Sequence, residues 1–279
     1  MNNRNRKDIA QGTLHYTRQG YYVKDGKRID FAELQKRSEN GTVVIAPAQG
    51  AELVQRFTPP AGGVQAKRHV ADEATVKSIL CFAEAGTGTE GLGVLNFASA
   101  KNPGGGFLNG AMAQEESLAA SGGLYTAQLR GEAYYAANRA CASMMYTDYA
   151  IYSPGVVFFR DERFGLLDAP VIASVLTLPA VNYGQVLLKG EDSVLAKRIM
   201  KDRMRLALAI FAAQGDKMLV LGAYGCGVFR NDPKDVAKWW KQLLDGEGYG
   251  LLFDEIVFAV LDTSKSGASL NAFRDVFGM

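Results

Sequence analysis

Short apolar runs rich in β-branched residues alternate with helical segments along most of this chain, and this alternation constrains its fold more than any other feature. Such runs predict strands, which we place at residues 42–46, 93–97, 156–160, 171–176, 218–221 and 255–261. Strands that alternate with helices favour helical layers packed on a parallel or mixed sheet. The sequence therefore predicts a layered α/β fold.

Helical periodicity predicts helices at residues 75–85, 115–120, 123–145, 194–213, 233–244 and 270–277. Asp192 or Ser193 is placed to cap the fourth of these helices, and Gly215 follows its end. Asp232 is placed to cap the fifth, with Pro233 at its first position.

The predicted domain organisation is simple. The chain has 279 residues, 48% of them apolar, which is enough to bury one large core. Residues 1–40 are polar, with helical spacing followed by a short hairpin or an extended arm. No linker-like stretch interrupts the chain, so we expect one domain over residues 1–279. About the first 40 residues form an appendage packed on it.

The charge balance excludes some classes of partner. The net charge is +2, from 31 basic and 29 acidic side chains, so no global field draws the protein to nucleic acid or to an anionic membrane. No apolar run reaches the roughly 18 residues of a membrane-spanning helix, and no apolar segment of a secretory signal follows the basic N-terminus. We expect neither a direct nucleic-acid partner nor a membrane partner, and any polyanionic ligand must bind a local site.

Cysteine and histidine are sparse. Cys81, Cys141 and Cys226 have unrelated spacings, which argues against a disulfide framework and indicates a reducing compartment such as the cytoplasm. His15 and His69 are far apart in sequence, and no cluster has the spacing of metal ligands. We therefore expect no bound metal.

A glycine-rich loop follows the strand at residues 93–97. Gly104, Gly105 and Gly106 allow backbone conformations that other residues avoid, and their N–H groups are able to form an anion-binding nest. Asn96 and Asn102 supply amides suited to the hydroxyls of a sugar. A run of glycines alone is more often a flexible loop, so this interpretation depends on the residues that follow.

Gln114, Glu115 and Glu116 follow the glycines and place two carboxylates side by side at the start of a predicted helix. Most such pairs lie on solvated helix faces. Here the surrounding residues are small and apolar, which is not typical of a solvated face. The combination of glycine loop and paired carboxylates therefore predicts a binding or catalytic site at the end of a sheet strand, where α/β folds usually bind ligands.

A second glycine loop, residues 222–232, connects the strand at residues 218–221 to a helix. Gly225 and Gly227 leave backbone N–H groups free to bind a diphosphate, in a turn that also contains Cys226 and Val228, and Phe229 is placed to pack on a ribose or an adenine. The spacing fits neither a dinucleotide fingerprint nor a P-loop. An ordinary tight strand-to-helix turn remains the alternative interpretation.

Three glycines, seven intervening residues and Gln-Glu-Glu resemble the signature of poly(ADP-ribose) glycohydrolases. The resemblance to the bacterial-type branch covers almost the whole chain, including the segments RKDIAQGTL, GVLNFAS, GAYGCGVFRND and VFAVLD. It implies a macrodomain, a three-layer α/β/α fold with a mixed sheet that binds ADP-ribose, here with an N-terminal helical extension. The large accessory regions of the vertebrate-type enzymes are absent from this sequence.

The resemblance also implies roles for individual residues. Glu116 matches the essential catalytic acid and Glu115 the residue that holds the ribose beside the scissile bond, while Asn102 is similar to the asparagine that contacts the distal ribose. The second loop matches the one that binds the diphosphate, with Phe229 lining the site. Gln114 completes the signature and is counted with the substrate-binding residues.

The chemistry of the bond gives a separate argument. Neighbouring helical side chains point about 100° apart, so this pair cannot easily sit on opposite faces of one sugar ring. We therefore predict that Glu116 acts first as acid and then as base, whereas Glu115 orients hydroxyls.

The predicted function is hydrolysis of the ribose–ribose glycosidic bonds of poly(ADP-ribose), without metal or cofactor, by a monomer that also meets ADP-ribosylated proteins. Two alternatives remain open. A non-catalytic macrodomain that binds ADP-ribose would not require the pair of carboxylates. A hydrolase of a different ADP-ribosyl linkage would use the same pocket for the ADP half, so the sequence separates it poorly.

Overall fold

The protein is described by a computed structural model over residues 3–57, 60, 62–85 and 89–278. Within these residues the α-helices are α1 (Asn3–Gln19), α2 (Ala32–Gly41), α3 (Pro47–Arg56), α4 (Thr75–Glu84), α5 (Gln114–Ser121), α6 (Leu124–Gln128), α7 (Glu132–Ala140), α8 (Tyr183–Leu188), α9 (Ser193–Gln214), α10 (Pro233–Lys241) and α11 (Ala268–Phe277). Shorter helical turns lie at Phe107–Asn109, Gln242–Gly246 and Tyr249–Leu252.

The strands of the same residues are β1 (Tyr21–Lys24), β2 (Lys27–Asp30), β3 (Val43–Ile45), β4 (Lys67–Ala71), β5 (Leu92–Ala98), β6 (Ala150–Arg160), β7 (Leu166–Pro179), β8 (Met218–Gly222) and β9 (Glu255–Ala259). Strands β1 and β2 form a hairpin, and the other seven form one mixed sheet in the order β3-β6-β7-β5-β8-β9-β4. Strands β7, β5, β8, β9 and β4 are parallel, whereas β3 and β6 pair antiparallel at one side. The predicted mixed α/β sheet is confirmed.

Two apolar clusters cover the two faces of this sheet. Alternate residues of a strand point to opposite faces. Leu95 and Leu221 pack in one cluster with α9, α10 and α11, whereas Val94 and Val220 pack in another with α4, α5 and α6. The sheet is thus enclosed between two helical layers, and α5, which carries the paired carboxylates, belongs to the second layer.

Helix α1 lies against the part of the chain that carries the site. Ala10 and Leu14 pack with Phe107 and with the buried alanines of α5. The hydroxyl of Thr13 donates to the carbonyl oxygen of Ala120, at the end of α5, over 2.7 Å. The predicted helix and hairpin of the N-terminal region are both present in the described residues. None of the described helices is long and apolar enough to cross a bilayer.

Several predicted boundaries are confirmed by their caps. The side chain of Asp192 accepts from two N–H groups in the first turn of α9, and Gly215 ends that helix with a left-handed backbone at φ 82°. Asp232 accepts from the N–H of Lys234 over 2.8 Å, and Pro233 is the first residue of α10. Side-chain capping of this kind is a local signal, so the sequence alone locates these two helix starts.

The predicted helix over residues 123–145 is wrong, because the structure divides it into α6 and α7. Gly131 lies at the break, where its N–H closes a turn by donating to the carbonyl oxygen of Gln128 over 2.9 Å. A Cβ at Gly131 would overlap the side chain of Ile151 on β6, so the chain bends against the sheet at this point. Residues 141–149 then form no helix. The sequence also missed α2, α3, α8 and the edge strand β4.

Candidate active site

A cavity of about 710 Å³ lies beyond the carboxyl ends of β5 and β8, where the two glycine loops begin. From the first loop and α5 its wall contains Asn102, Gly105, Gly106, Gln114, Glu115 and Glu116. From the second loop it contains Gly225, Gly227, Val228 and Phe229. Two loops separated by more than one hundred residues therefore meet in one cavity, which is the position expected for a ligand in a parallel α/β sheet.

Three predicted site residues lie outside the wall of this cavity. Asn96 is completely buried, because its side chain lies behind Glu115 rather than beside a sugar. Gly104 is also buried and packs near the ring of Tyr125. Cys226 lines a smaller neighbouring cavity instead. Asn96 and Gly104 are therefore corrected to buried supporting positions, whereas the substrate contact of Cys226 stays a prediction, because this residue lines the neighbouring cavity.

Gln114 joins the first turn of α5 to the end of β5. Its side-chain oxygen accepts from the N–H of Phe97 over 2.8 Å, and its amide nitrogen donates to the carbonyl oxygen of Leu95 over 2.9 Å. Both ends of this amide therefore bind backbone groups of the strand. Gln114 fixes where α5 starts, and with it the positions of the two carboxylates.

Glu115 is enclosed by hydrogen-bond donors and is only 3% exposed. Its Oε1 accepts from the side-chain amides of Gln128, over 2.8 Å, and Asn96, over 3.1 Å. Its Oε2 accepts from the N–H of Ser99 over 2.7 Å. All three partners donate, so they stabilise the ionised carboxylate.

Burial of Glu115 favours its protonated form, and this effect is larger than that of the three hydrogen bonds. It raises the pKa of Glu115 from 4.5 to about 7, and the adjacent Glu116 carboxylate adds to the increase. The hydrogen bonds from Ser99, Gln128 and Asn96 lower that pKa and offset part of the effect. A carboxylate that binds its proton near neutral pH is a frequent property of catalytic sites.

The raised pKa predicts how stability depends on pH. Between pH 4.5 and about 7 the folded state binds a proton at Glu115 more tightly than the unfolded state does. The free energy of unfolding should therefore fall as the pH rises through this window, by about 3 kcal/mol relative to the non-titrating variant Glu115→Gln. Chemical denaturation of both proteins at about pH 5 and about pH 8 measures this difference. A difference that does not change with pH would contradict the role of burial.

Glu116 has a different environment, although it is the next residue. It is half-buried, and its Oε1 accepts from the N–H of Gly106 over 2.8 Å. Its Oε2 accepts from the N–H of Ala113 over 3.1 Å, so the side chain folds back over the start of α5. Both donors are backbone groups, and the carboxylate still forms part of the cavity wall. Glu116 is thus the more accessible member of the pair.

Gly105 lies against both carboxylates. Its backbone has a φ of 58°, and a Cβ at this position would overlap Oε1 of Glu116 and lie 3.0 Å from Oε2 of Glu115. A side chain would therefore displace the carboxylates as well as strain the backbone. The glycine is required because the loop passes so close to the start of α5.

The predicted anion nest in the first loop is wrong, because its three glycine N–H groups already have partners. The N–H of Gly104 donates to Oε1 of Gln128 over 2.9 Å, and that of Gly105 to the carbonyl oxygen of Asn102 over 3.0 Å. The N–H of Gly106 binds Glu116, as described above. These glycines position the carboxylates and let a ligand approach, and their N–H groups are not free to bind phosphate.

The second loop, unlike the first, has backbone N–H groups that are free to bind an anion. The N–H groups of Gly225, Gly227, Val228 and Phe229 donate to no acceptor among the described residues, and all four residues line the cavity. Asn231 fixes the loop, because its side-chain amide donates to the carbonyl oxygen of Gly225 over 3.0 Å and also to that of Val181. Unpaired N–H groups on an ordered loop are suited to an anion.

Sequence reasoning missed some residues that shape the site. Gln128 and Thr177 are completely buried. Gln128 donates to Glu115, and the hydroxyl of Thr177 accepts from the amide of Gln128. Tyr125 lines the cavity from α6, and Ser99 supplies an N–H to Glu115. A single Gln or Thr within an apolar segment carries no local motif. Only the pairing of distant elements reveals these four.

A smaller cavity of about 430 Å³ adjoins the first one. The two share Phe97, Gln114 and Gly227 in their walls, and the smaller cavity continues past Phe164 and Leu261. Its lining is mainly apolar, apart from a few polar side chains such as that of Glu73. Together the cavities form one extended groove over the ends of β5, β8 and β9.

Cys226 lies in this second cavity wall with a thiol that is unsuited to nucleophilic attack. Burial, with a contribution from Asp232, raises its pKa far above the ordinary range, so the thiol stays protonated. Within residues 3–57, 60, 62–85 and 89–278, no group of three or more His, Cys, Asp and Glu side chains is arranged to hold a metal ion.

The model of a family described as microbial-type PARG, catalytic domain, matches residues 10–161. This match covers more than half of the chain and includes the first loop with both carboxylates. The chain belongs to the microbial-type poly(ADP-ribose) glycohydrolase family. It is therefore a glycosidase whose substrate is poly(ADP-ribose), as the signature predicted.

Solved structures of poly(ADP-ribose) glycohydrolases support the same assignment. The enzyme from Thermomonospora curvata is 35% identical, with 98% of this chain and 100% of that chain covered and a TM-score of 0.93. The enzyme from Deinococcus radiodurans in complex with ADP-ribose is 41% identical, covering 87% of this chain and 96% of that one, with a TM-score of 0.81. A search of curated proteins found no match to the chain.

One of the matching poly(ADP-ribose) glycohydrolase structures carries an inhibitor. The Thermomonospora curvata enzyme bound to the inhibitor ADP-HPD is 35% identical, with 98% of this chain and 99% of that chain covered and a TM-score of 0.90. These matches confirm the predicted fold class, the resemblance and the enzymatic activity of this poly(ADP-ribose) glycohydrolase.

Proposed function

We propose that this poly(ADP-ribose) glycohydrolase cleaves the ribose–ribose bond with Glu116 as acid and then base, and with Glu115 as the carboxylate that holds the ribose. The observation that carries the proposal is the unequal environment of two adjacent carboxylates. Glu115 is buried among three donors, whereas Glu116 is only half-buried and accepts hydrogen bonds from two backbone N–H groups at the cavity wall. Environments that differ in this way favour different roles.

The proton balance of the reaction follows from these positions. Protonated Glu116 gives its proton to the leaving glycosidic oxygen as the bond from that oxygen to the ribose C1 breaks. A water then adds to C1 and returns a proton to Glu116, which restores the starting state. The N–H groups of Gly106 and Ala113 hold the Glu116 carboxylate in place through both steps.

Glu115 is proposed to support this step by holding the ribose. In its ionised form it accepts hydrogen bonds from hydroxyls of the ribose, and its charge favours the positive character that develops at C1. Asn102, which is exposed at the mouth of the loop, is proposed to bind the same distal ribose, consistent with its position in the cavity wall. Asn96 is proposed to position Glu115 rather than to touch the sugar.

The second loop is proposed to bind the diphosphate through the unpaired N–H groups of residues 225 and 227–229, with Phe229 beside the ribose. The first loop offers no free N–H at its glycines, which supports this division of labour. The smaller cavity is proposed to take the adenosine half. Its apolar walls at Phe97, Phe164 and Leu261 suit a flat base, and Glu73 offers an acceptor for an amino group.

We also propose that the protein acts as a monomer in the cytoplasm on ADP-ribosylated proteins that carry the polymer. The three cysteines have unrelated spacings in the sequence, which supports a reducing compartment. Nothing in the proposed reaction requires a second subunit, because both loops and both carboxylates come from one chain.

Incubation with labelled poly(ADP-ribose) and, separately, with a mono-ADP-ribosylated protein tests the proposed substrate. We expect free ADP-ribose from the polymer and little from the protein-linked monomer, because the leaving group in the polymer is a ribose hydroxyl placed beside Glu116. Chromatography of the released nucleotides measures both reactions. Equal release from the two substrates would favour a hydrolase of another ADP-ribosyl linkage, and binding of ADP-ribose without release would favour a binding module.

A further inference from the structure

Gln128, the last residue of α6, is completely buried and does not form part of the cavity wall. We propose that Gln128 is a positioning residue that favours the ionised form of Glu115 and fixes its carboxylate relative to the triglycine loop. This inference rests on the proposed role of Glu115 in holding the ribose. It assigns a function to a side chain that no motif indicates.

The two ends of the Gln128 amide bind two different parts of the site. Its oxygen accepts from the N–H of Gly104 over 2.9 Å, and its nitrogen donates to Oε1 of Glu115 over 2.8 Å. The same nitrogen lies 3.3 Å from the hydroxyl oxygen of Thr177, which also accepts from the amide of Asn96 over 3.1 Å. One side chain thus connects the loop, the carboxylate and strand β7.

The partners determine the orientation of this amide. The N–H of Gly104 is only a donor, so the oxygen of Gln128 must face it, and the nitrogen must then face Glu115. A buried carboxylate in an apolar layer would otherwise bind a proton more readily. Gln128 therefore opposes the effect of burial on Glu115, and it does so only while Gly104 holds the amide in this orientation.

Other titratable groups that face Glu115 do not replace this effect. Glu116 lies beside it on α5 and disfavours its ionisation. Tyr134 and Tyr135 of α7 also interact with Glu115, and burial keeps the pKa of both phenols well above the ordinary value, so neither ionises near neutral pH. Gln128 and Asn96 are the side-chain donors to Glu115 among the described residues.

The variants Gln128→Met and Gln128→Glu test the proposal through the pH profile of kcat/KM on poly(ADP-ribose). Met keeps the length and loses both hydrogen bonds. Glu keeps an acceptor for Gly104 but replaces the donor to Glu115 with a second carboxyl. Because ionised Glu115 is required, the wild-type acid limb should lie near the raised pKa of Glu115, about 7. We expect both variants to move it upward by about 1–2 pH units, with Gln128→Glu moving at least as far as Gln128→Met.

Gln35 provides a matched control because it is a second buried Gln that holds α6. Its amide nitrogen donates to the carbonyl oxygen of Gly123 over 3.2 Å and to the hydroxyl of Thr126 over 2.9 Å, away from the cavity. Gln35→Met should lower the melting temperature and leave the acid limb unmoved. The proposal would be overturned if the acid limb of Gln35→Met shifted as far as that of the Gln128 variants. It would also be overturned if the acid limb of both Gln128 variants stayed at its wild-type pH.

Two further measurements, thermal melting of each variant and release of ADP-ribose by the wild type, accompany the pH profiles. Thermal melting shows whether each variant folds, and the nearly isosteric Gln128→Glu carries the test if Gln128→Met does not. The proposed function fails in a different way, namely through a wild-type protein that releases no ADP-ribose from the polymer. An inert wild type is therefore distinguishable from active Gln128 variants whose pH profile is unchanged.

Discussion

Replacement of Glu116 by Gln is expected to reduce the release of ADP-ribose from poly(ADP-ribose) by about 100-fold or more while ADP-ribose still binds. The amide has nearly the shape of the carboxyl group, so the cavity is preserved, but it cannot give a proton to the leaving oxygen. One of the two N–H groups that now bind Glu116 loses an acceptor, which costs some local order. Turnover of labelled polymer and calorimetric titration with ADP-ribose measure the two effects separately.

Glu132 provides the control for this substitution. It is also a glutamate in the first turn of a helix, α7, but it is exposed and lies outside both cavities. Glu132→Gln should keep wild-type turnover. If Glu116→Gln retained more than about one tenth of the activity, Glu116 would not be the acid, since general acid catalysis contributes about 100-fold or more.

Replacement of Gly105 by Ala should reduce kcat/KM on the polymer by about 100-fold, an effect comparable to the loss of the acid. The added methyl group would overlap Oε1 of Glu116 and lie 3.0 Å from Oε2 of Glu115, so the Glu116 carboxylate must leave its position and the Glu115 carboxylate must give by a few tenths of an ångström. A displacement of about 1 Å in a catalytic group is enough for a loss of this size. Steady-state kinetics on poly(ADP-ribose) provide the measurement.

Backbone strain must be separated from this displacement. Gly190 has a φ of 66°, close to the 58° of Gly105, and a Cβ there would meet no atom within 4 Å. Both alanine variants should lose about 1–2 kcal/mol of stability, because an L-residue is strained in this conformation. Only Gly105→Ala should lose activity. A similar loss in Gly190→Ala would show that strain, rather than the carboxylates, is responsible.

The sequence predicts the parts of the site that are contiguous in the chain. Glycines 104–106 and the pair Glu115 and Glu116 are only a few residues apart, and their spacing is a local pattern that survives without knowledge of the fold. The roles of Asn96 and Gly104 were predicted less well. Both carry the right chemistry for a ligand, but their partners, Glu115 and Gln128, lie on other elements, and no sequence spacing indicates such pairings.

The errors in the predicted fold also arise where a feature depends on a residue of another element. Helix caps such as Asp192 and Asp232 are local, and their predicted positions are confirmed. The break at Gly131 depends on the side chain of Ile151 on another element. Strand β4, with the sequence KRHVA, is an edge strand with little buried surface, so its charged residues hide the strand pattern.

The contrast between the two glycine loops affects the thermodynamics of substrate binding. The first loop satisfies its own N–H groups through Gln128, Asn102 and Glu116, so its geometry does not depend on a bound phosphate. Substrate therefore meets carboxylates that are already preorganised, and little conformational entropy should be lost at this loop on binding. The N–H groups of the second loop have no acceptor among the described residues, so the diphosphate proposed to bind there should supply most of the favourable enthalpy.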